Sequence, residues 1–129
     1  AAIDGCGDRD FLAASLHAQP PAPPPGAYRA PLVVRFSDED ANRHANHSAL
    51  ARYFEDAREA ILADAAAAPE LRALAAQGLE AVLIAYAAEA RAGDRCETHV
   101  ASLSPGALDL WVLRLSPREG LIGRGRLLV

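Results

Sequence analysis

Residues 38 to 48, "DEDANRHANHS", place three carboxylates, two asparagines, two histidines and an arginine in eleven consecutive positions. Four kinds of chemistry suit such a stretch: a calcium loop, a metal site, a helix cap or a catalytic loop. In a calcium loop, Asp38, Asp40 and Asn42 would take the first, third and fifth ligand positions. The required glycine is then Arg43 and the bidentate glutamate is Ala49, so that reading fails. For zinc, His44 and His47 with Asp40 could supply ligands, but the spacing matches no strong zinc signature and no metal is expected. Capping accounts for Asn46 or Ser48, either of which can accept from free backbone N–H groups. It leaves Asp40, Asn42 and His44, at alternate positions ahead of the caps, unexplained. A catalytic loop accounts for them.

The elements that must position this loop are legible on both sides of it. Before it, "PLVVRFS" (residues 31–37) has the β-branched and aromatic character of a strand. After it, Leu50, Tyr53, Phe54, Ala57, Ile61 and Leu62 recur at helical spacing with charged residues between them. This predicts one helix of about five turns with a single apolar face. "APELRALAAQG" predicts a second, shorter helix, with Pro69 in the first turn and Gly78 as the stop. From residue 80 the period changes. "EAVLIAYAAEA", "RCETHVASLS", "ALDLWVLRLS" and "GLIGRGRLLV" are four strand-like runs separated by "RAGD", "PG" and "PRE", all compatible with turns. In the third run Leu108, Leu110 and Val112 share one face, while Asp109, Trp111, Leu113 and Leu115 share the other. A strand apolar on both faces belongs at the centre of a sheet covered on each side. One strand, two helices and four antiparallel strands make an α+β layout, with a curved sheet wrapped around the long helix as the economical packing.

Ahead of the strand, residues 1–30 include "QPPAPPPGAYRA", whose prolines favour extended geometry and exclude a central strand. They read as an arm or linker, with "DFLAASLHA" forming at most a helical turn or two and a single domain occupying residues 31–129. A chain of 129 residues with 51% apolar composition can bury one core, and no apolar run is long enough to span a bilayer. The net charge is −4, and its basic residues are all arginine and scattered, which gives nucleic-acid binding no support. Cys6 and Cys96 have no motif spacing and read as free thiols. No basic-then-apolar leader is visible, so the expectation is a cytoplasmic protein, or one in an organelle lumen after removal of a transit peptide.

"VRFSDEDANRHANHSALARYFEDAREAIL" resembles the strand–loop–helix of hotdog-fold thioesterases, many of which read Asp-x-x-Gly-His-Val-Asn-Asn before a helix carrying Tyr and a Glu-x-x-Arg-like tail. In this register the chain has Asp40, Arg43, His44, Ala45, Asn46 and His47, with Tyr53, Glu55 and Arg58 on the helix. The loop is more similar still to plant-type acyl-acyl-carrier-protein thioesterases, Asp-x-Asn-x-His-Val-Asn, matched by Asp40, Asn42, His44, Ala45 and Asn46. In that family a later-strand Glu also serves the site, and "YAAE" offers Tyr86 and Glu89 as the nearest candidates. Three positions depart from these patterns: Arg43 replaces the bacterial glycine, His47 the second asparagine, and Ala90 the plant-type cysteine. Plant-type enzymes carry two hotdog units per chain, and this one has room for a single unit.

The resemblance implies hydrolysis of an acyl-CoA or acyl-carrier-protein thioester without a cofactor, by a homodimer or higher oligomer with sites at its interface. Asp40 would be base or nucleophile, Asn42 would orient water or the carbonyl, and His44, of unperturbed pKa ~6.5, would bond Asp40 or carry a proton. Glu89 would bind the same water. Arg43, Asn46, His47 and Tyr53 would contact substrate, and free N–H groups at the long helix's N-terminus would stabilise the oxyanion. Two alternatives remain: a non-catalytic acyl-binding subunit, to which Arg43 and Ala90 lend support, and a hotdog enoyl-CoA hydratase. The hydratase pattern resembles Asp-x-Asn-Pro-x-His, whereas His44 lies four residues after Asp40 with no proline between.

Overall fold

The computed structural model describes residues 19–40 and 47–129, with His47 by its backbone alone. Strand β1 (Tyr28–Val33) leads into a single 3-10 turn at Phe36–Asp38. Two helices follow, α1 (His47–Ala63) and α2 (Pro69–Ala75), and then strands β2 (Ala81–Tyr86), β3 (Arg95–Ala101), β4 (Ala107–Ser116) and β5 (Gly120–Leu128). The strands form one sheet in the order β1-β3-β4-β5-β2, and every pair is antiparallel.

The helix explains the curvature of that sheet. Strands lie about 4.8 Å apart, so the edges of a flat five-stranded sheet would stand farther apart than a helix of about 10 Å diameter can reach. Yet α1 packs against both edge strands, β1 and β2, as well as against β3 and β4. The sheet therefore curves around it. The apolar stripe expected on the helix is what it buries: Ala49, Leu50, Tyr53, Phe54, Ala57 and Ile61 are all enclosed. Against β5 the approach is closest. A Cβ placed on Gly125 would collide with the Leu83 carbonyl and stand 2.5 Å from Phe54 Cε2, and one on Gly123 would meet Leu50 Cδ1 at 2.8 Å. The "GRG" of β5 is the seat on which the helix rests.

Strand β4 is the middle strand and is buried on both faces, as its double apolar pattern requires. Leu108, Leu110 and Val112 face the helix. On the other face, Trp111 Nε1 donates to the Pro20 carbonyl at 2.9 Å and Arg124 Nη1 to the Gln19 carbonyl at 2.9 Å. There the buried Asp109 carboxylate accepts from Arg126 Nε at 2.6 Å and Gln19 Nε2 at 3.2 Å. Residues from the stretch expected to be an arm thus lie on the back of the sheet.

Boundaries differ from expectation at β1, which starts at Tyr28 and ends at Val33 instead of covering 31–37. Pro31 sits within it opposite Glu97, tolerated because β1 is an edge strand and needs no N–H on its open side. Helix α2 stops at Ala75, short of Gly78, where Arg58 from α1 closes its end by donating to the carbonyls of Ala75 (2.6 Å) and Gln77 (2.7 Å). Ser48 lies inside the first turn of α1, so the cap position falls on Asn46, outside the described residues.

Candidate functional site

The chain leaving β1 is latched before it reaches the candidate loop. Val34 N–H donates to the Asp94 carbonyl (2.9 Å) and Gly93 N–H to the Val34 carbonyl (2.8 Å), tying it to the turn between β2 and β3. Gly93, at φ +91°, adopts the left-handed conformation that turn needs. A second tie follows, from Ala92 N–H to Glu39 Oε2 at 3.0 Å.

Asp38 is the third tie and the deepest. Its carboxylate is buried and accepts from Arg35 N–H (2.9 Å), Arg52 Nη2 (2.7 Å) and the Tyr53 hydroxyl (2.8 Å). Burial alone would raise this carboxyl. The Arg35 N–H, the Arg52 guanidinium and the Tyr53 hydroxyl outweigh it and hold the group below the usual carboxylate range. Burial, reinforced by the negative Asp38, drives the Tyr53 phenol far up, so it remains a neutral donor. The first residue of the polar stretch is therefore the anchor that fixes the loop onto α1. Nothing in its spacing singles it out, because Arg52 and Tyr53 lie fourteen and fifteen residues away.

Asp40, two residues on, is exposed where Asp38 is buried. Its charge reaches Tyr86, the last residue of β2, whose phenol is pushed up to about 12 by burial and then by Asp40. Glu89 is exposed in the connection after β2, at the same end of the sheet, and its carbonyl accepts from Arg114 Nη1 at 2.7 Å. The structure thus brings Asp40 to Tyr86 and sets Glu89 in the neighbouring segment. Tyr53, expected against substrate, is 3% exposed and its hydroxyl is engaged by Asp38. Asn42, Arg43, His44 and Asn46, and the side chain of His47, lie outside the described residues. Ala90, in place of the plant-type cysteine, is fully enclosed in the core. Cys96 is also buried, which raises its thiol to about 11, and Cys6 lies outside the described residues.

Among the described residues, no three or more His, Cys, Asp or Glu are grouped to hold a metal ion, and no helix is long and apolar enough to cross a membrane. Arg114 was missed from the sequence. It is a nearly buried cation whose guanidinium links Glu89 to Asp94 and Arg118, and an arginine closing an apolar strand face was its only signal.

No protein-family model matches the chain, and no curated protein does. Solved structures do. The dynemicin thioesterase aligns with a TM-score of 0.62 at 24% identity, covering 78% of this chain and 77% of its own. A thioesterase-superfamily protein from Jannaschia sp. CCS1 aligns at 0.62 and 22% identity, over 81% and 69%. The 1,4-dihydroxy-2-naphthoyl-CoA thioesterase from Synechocystis aligns at 0.59 and 16% identity, over 79% of each chain. This is a hotdog fold. The neighbours that show it are hotdog thioesterases, as the loop resemblance implied. Within the hotdog, the long helix is α1, and the loop carrying Asp38 and Asp40 is the one that delivers the chain to its N-terminus.

Proposed function

We propose that the chain is a thioesterase that hydrolyses an acyl-CoA or acyl-carrier-protein thioester to a carboxylic acid and a thiol. The observation that carries the reading is the placement of Asp40. It is an exposed carboxylate held, by the buried Asp38 two residues before it, near the N-terminus of the long helix and beside Tyr86. The hotdog thioesterases among the structural neighbours support the same chemistry.

Asp40 takes a proton from water as the water oxygen bonds to the thioester carbonyl carbon. The carbonyl electron pair moves to oxygen, where N–H groups of the first turn of α1 receive the charge. The oxyanion then collapses, the C–S bond breaks, and the departing thiolate takes the proton from Asp40. Direct attack by Asp40, with water cleaving the resulting anhydride, balances equally well. Asn42 orients the water or carbonyl, His44 bonds Asp40 or relays its proton, and Glu89 holds the water. Arg43, Asn46 and His47 contact substrate. The expected assembly is a homodimer or higher oligomer with a second subunit completing the site, and light scattering that finds only monomer at micromolar concentration would refute it.

The test of function is thiol release, read with a chromogenic disulfide, across short-, medium- and long-chain and aromatic acyl-CoAs, and then acyl-carrier proteins. Release from one class supports the reading and names the acyl group. Tight acyl-CoA binding without release favours the acyl-binding subunit, and robust hydration of crotonyl-CoA favours the hydratase.

A further inference from the structure

The arginines are scattered in the sequence, but the fold gathers three of them. An open groove is lined by Glu89, Arg91 and Asp94 from the connection between β2 and β3, and by Arg114 and Arg118 from the end of β4 and the turn after it. Arg114 forms its floor. Its nearly buried guanidinium donates to the Glu89 carbonyl (2.7 Å) and the Arg118 carbonyl (2.7 Å), so it binds the two walls together. Asp94 stands 3.5 Å from Arg114 Nη1 and accepts from the Arg91 N–H at 3.0 Å, so its charge is taken up within the floor. The remaining charged side chains of the lining are Arg91 and Arg118, both exposed, and Glu89. A chain of net charge −4 thus carries a groove with two outward cations to one carboxylate.

We propose that this groove binds the phosphate of a pantetheine-bearing thioester, with Arg91 and Arg118 contacting the anion and Arg114 holding both connections in place. The proposal rests on the thioesterase reading, because Glu89 belongs both to the groove and to the candidate site. A thioester held at that end extends its pantetheine arm over the neighbouring surface, and the first charged group along that arm is a phosphate. Paired arginines are the side chains best matched to it. Coenzyme A and the prosthetic arm of a carrier protein both carry this group.

The experiment is calorimetric titration of the unmodified protein, Arg118→Ala and Arg91→Ala with CoA, 4′-phosphopantetheine and pantetheine. In the unmodified protein the phosphate-bearing ligands bind about tenfold or more tighter than pantetheine, and each substitution removes most of that gap. Equal gains for CoA and 4′-phosphopantetheine assign the contact to the phosphate they share, and a gain for CoA alone assigns it to the nucleotide phosphates. Pantetheine binding as tightly as CoA overturns the proposal. So does a gap that survives both substitutions, or no CoA binding at millimolar concentration. The readout is independent of turnover. A protein that grips CoA through Arg118 and hydrolyses nothing would refute the thioesterase reading and leave the groove standing.

Discussion

The Tyr53 hydroxyl, on the buried face of α1, donates to the Asp38 carboxylate at 2.8 Å, joining the loop after β1 to the core side of the helix. Arg52, the preceding residue, reaches the other carboxylate oxygen at 2.7 Å from the helix's more exposed side. One carboxylate is thereby gripped by two consecutive helical residues. The segment that carries Asp40 is set two residues beyond a fixed point.

Removing the phenol tests that fixed point. Tyr53→Phe deletes a hydrogen bond to a buried charge while keeping the ring, so it should destabilise the protein by about 2 kcal/mol in urea denaturation. The sign of the pH dependence follows from the lowered folded-state pKa of Asp38. Its contribution is complete above the ordinary Asp value of about 3.9 and is lost as pH falls toward the lower folded value. The stability gap between unmodified protein and Asp38→Asn should therefore be constant near neutrality and shrink below about pH 4. A gap that widens on acidification would show that Asp38 is not held as a carboxylate.

The seat of the helix gives a second prediction, comparing two glycines one residue apart. Gly125→Ala drives a methyl into the Leu83 carbonyl and Phe54, whereas Gly123→Ala meets chiefly the Leu50 side chain, which can turn aside. Overpacking of this kind costs about 1–3 kcal/mol, with backbone obstacles at the upper end. Gly125→Ala should be the more destabilising of the pair by urea denaturation. Equal midpoints would place the helix farther from β5.

Much of this frame was readable from residue patterns, and the exceptions have physical causes. Strand β4 occupies the stretch 107–116 that its two apolar faces and flanking turns delimit, because burial on both sides leaves no competing assignment. Strand β1 was placed too late because Pro31 reads as a boundary, although at a sheet edge its missing N–H costs nothing. Within the polar stretch, pattern could not tell Asp38 from Asp40. Both are carboxylates at alternate positions, and only the packing of Arg52 and Tyr53 decides which one is buried. The grouping of Arg91, Arg114 and Arg118 was hidden for the same reason, since two separate turns bring them together.

Asp40 supplies the third prediction, in which activity and stability part company. Asp40→Ala should lower the rate of thiol release by about 10²–10⁴-fold, the range for loss of a positioned base, while leaving the urea midpoint nearly unchanged because the residue is exposed. Turnover that survives would move the base to Glu89. Comparable loss in Asp38→Asn would be accompanied by destabilisation, which separates an anchor from a base.

The last prediction tests the placement of Asp40 without reference to catalysis. Tyr86 is pushed up to about 12 first by burial and then by the Asp40 charge, so neutralising the carboxylate removes only the second cause. In Asp40→Asn the Tyr86 phenol should ionise at lower pH than in the unmodified protein, yet still above the ordinary tyrosine value of about 10. NMR of ring-labelled tyrosine can follow it, because the chain has three tyrosines and Tyr86→Phe identifies the signal. Tyr53 serves as an internal control: its shift arises from burial and Asp38, so it should not respond to Asp40. An unmoved Tyr86 would separate Asp40 from the end of β2 and remove the geometric support for placing the two in one site. A Tyr86 that moves to the ordinary value would instead show that the ring is open to water. The expected result, a partial fall confined to Tyr86, requires the phenol to be buried and the carboxylate to stand beside it.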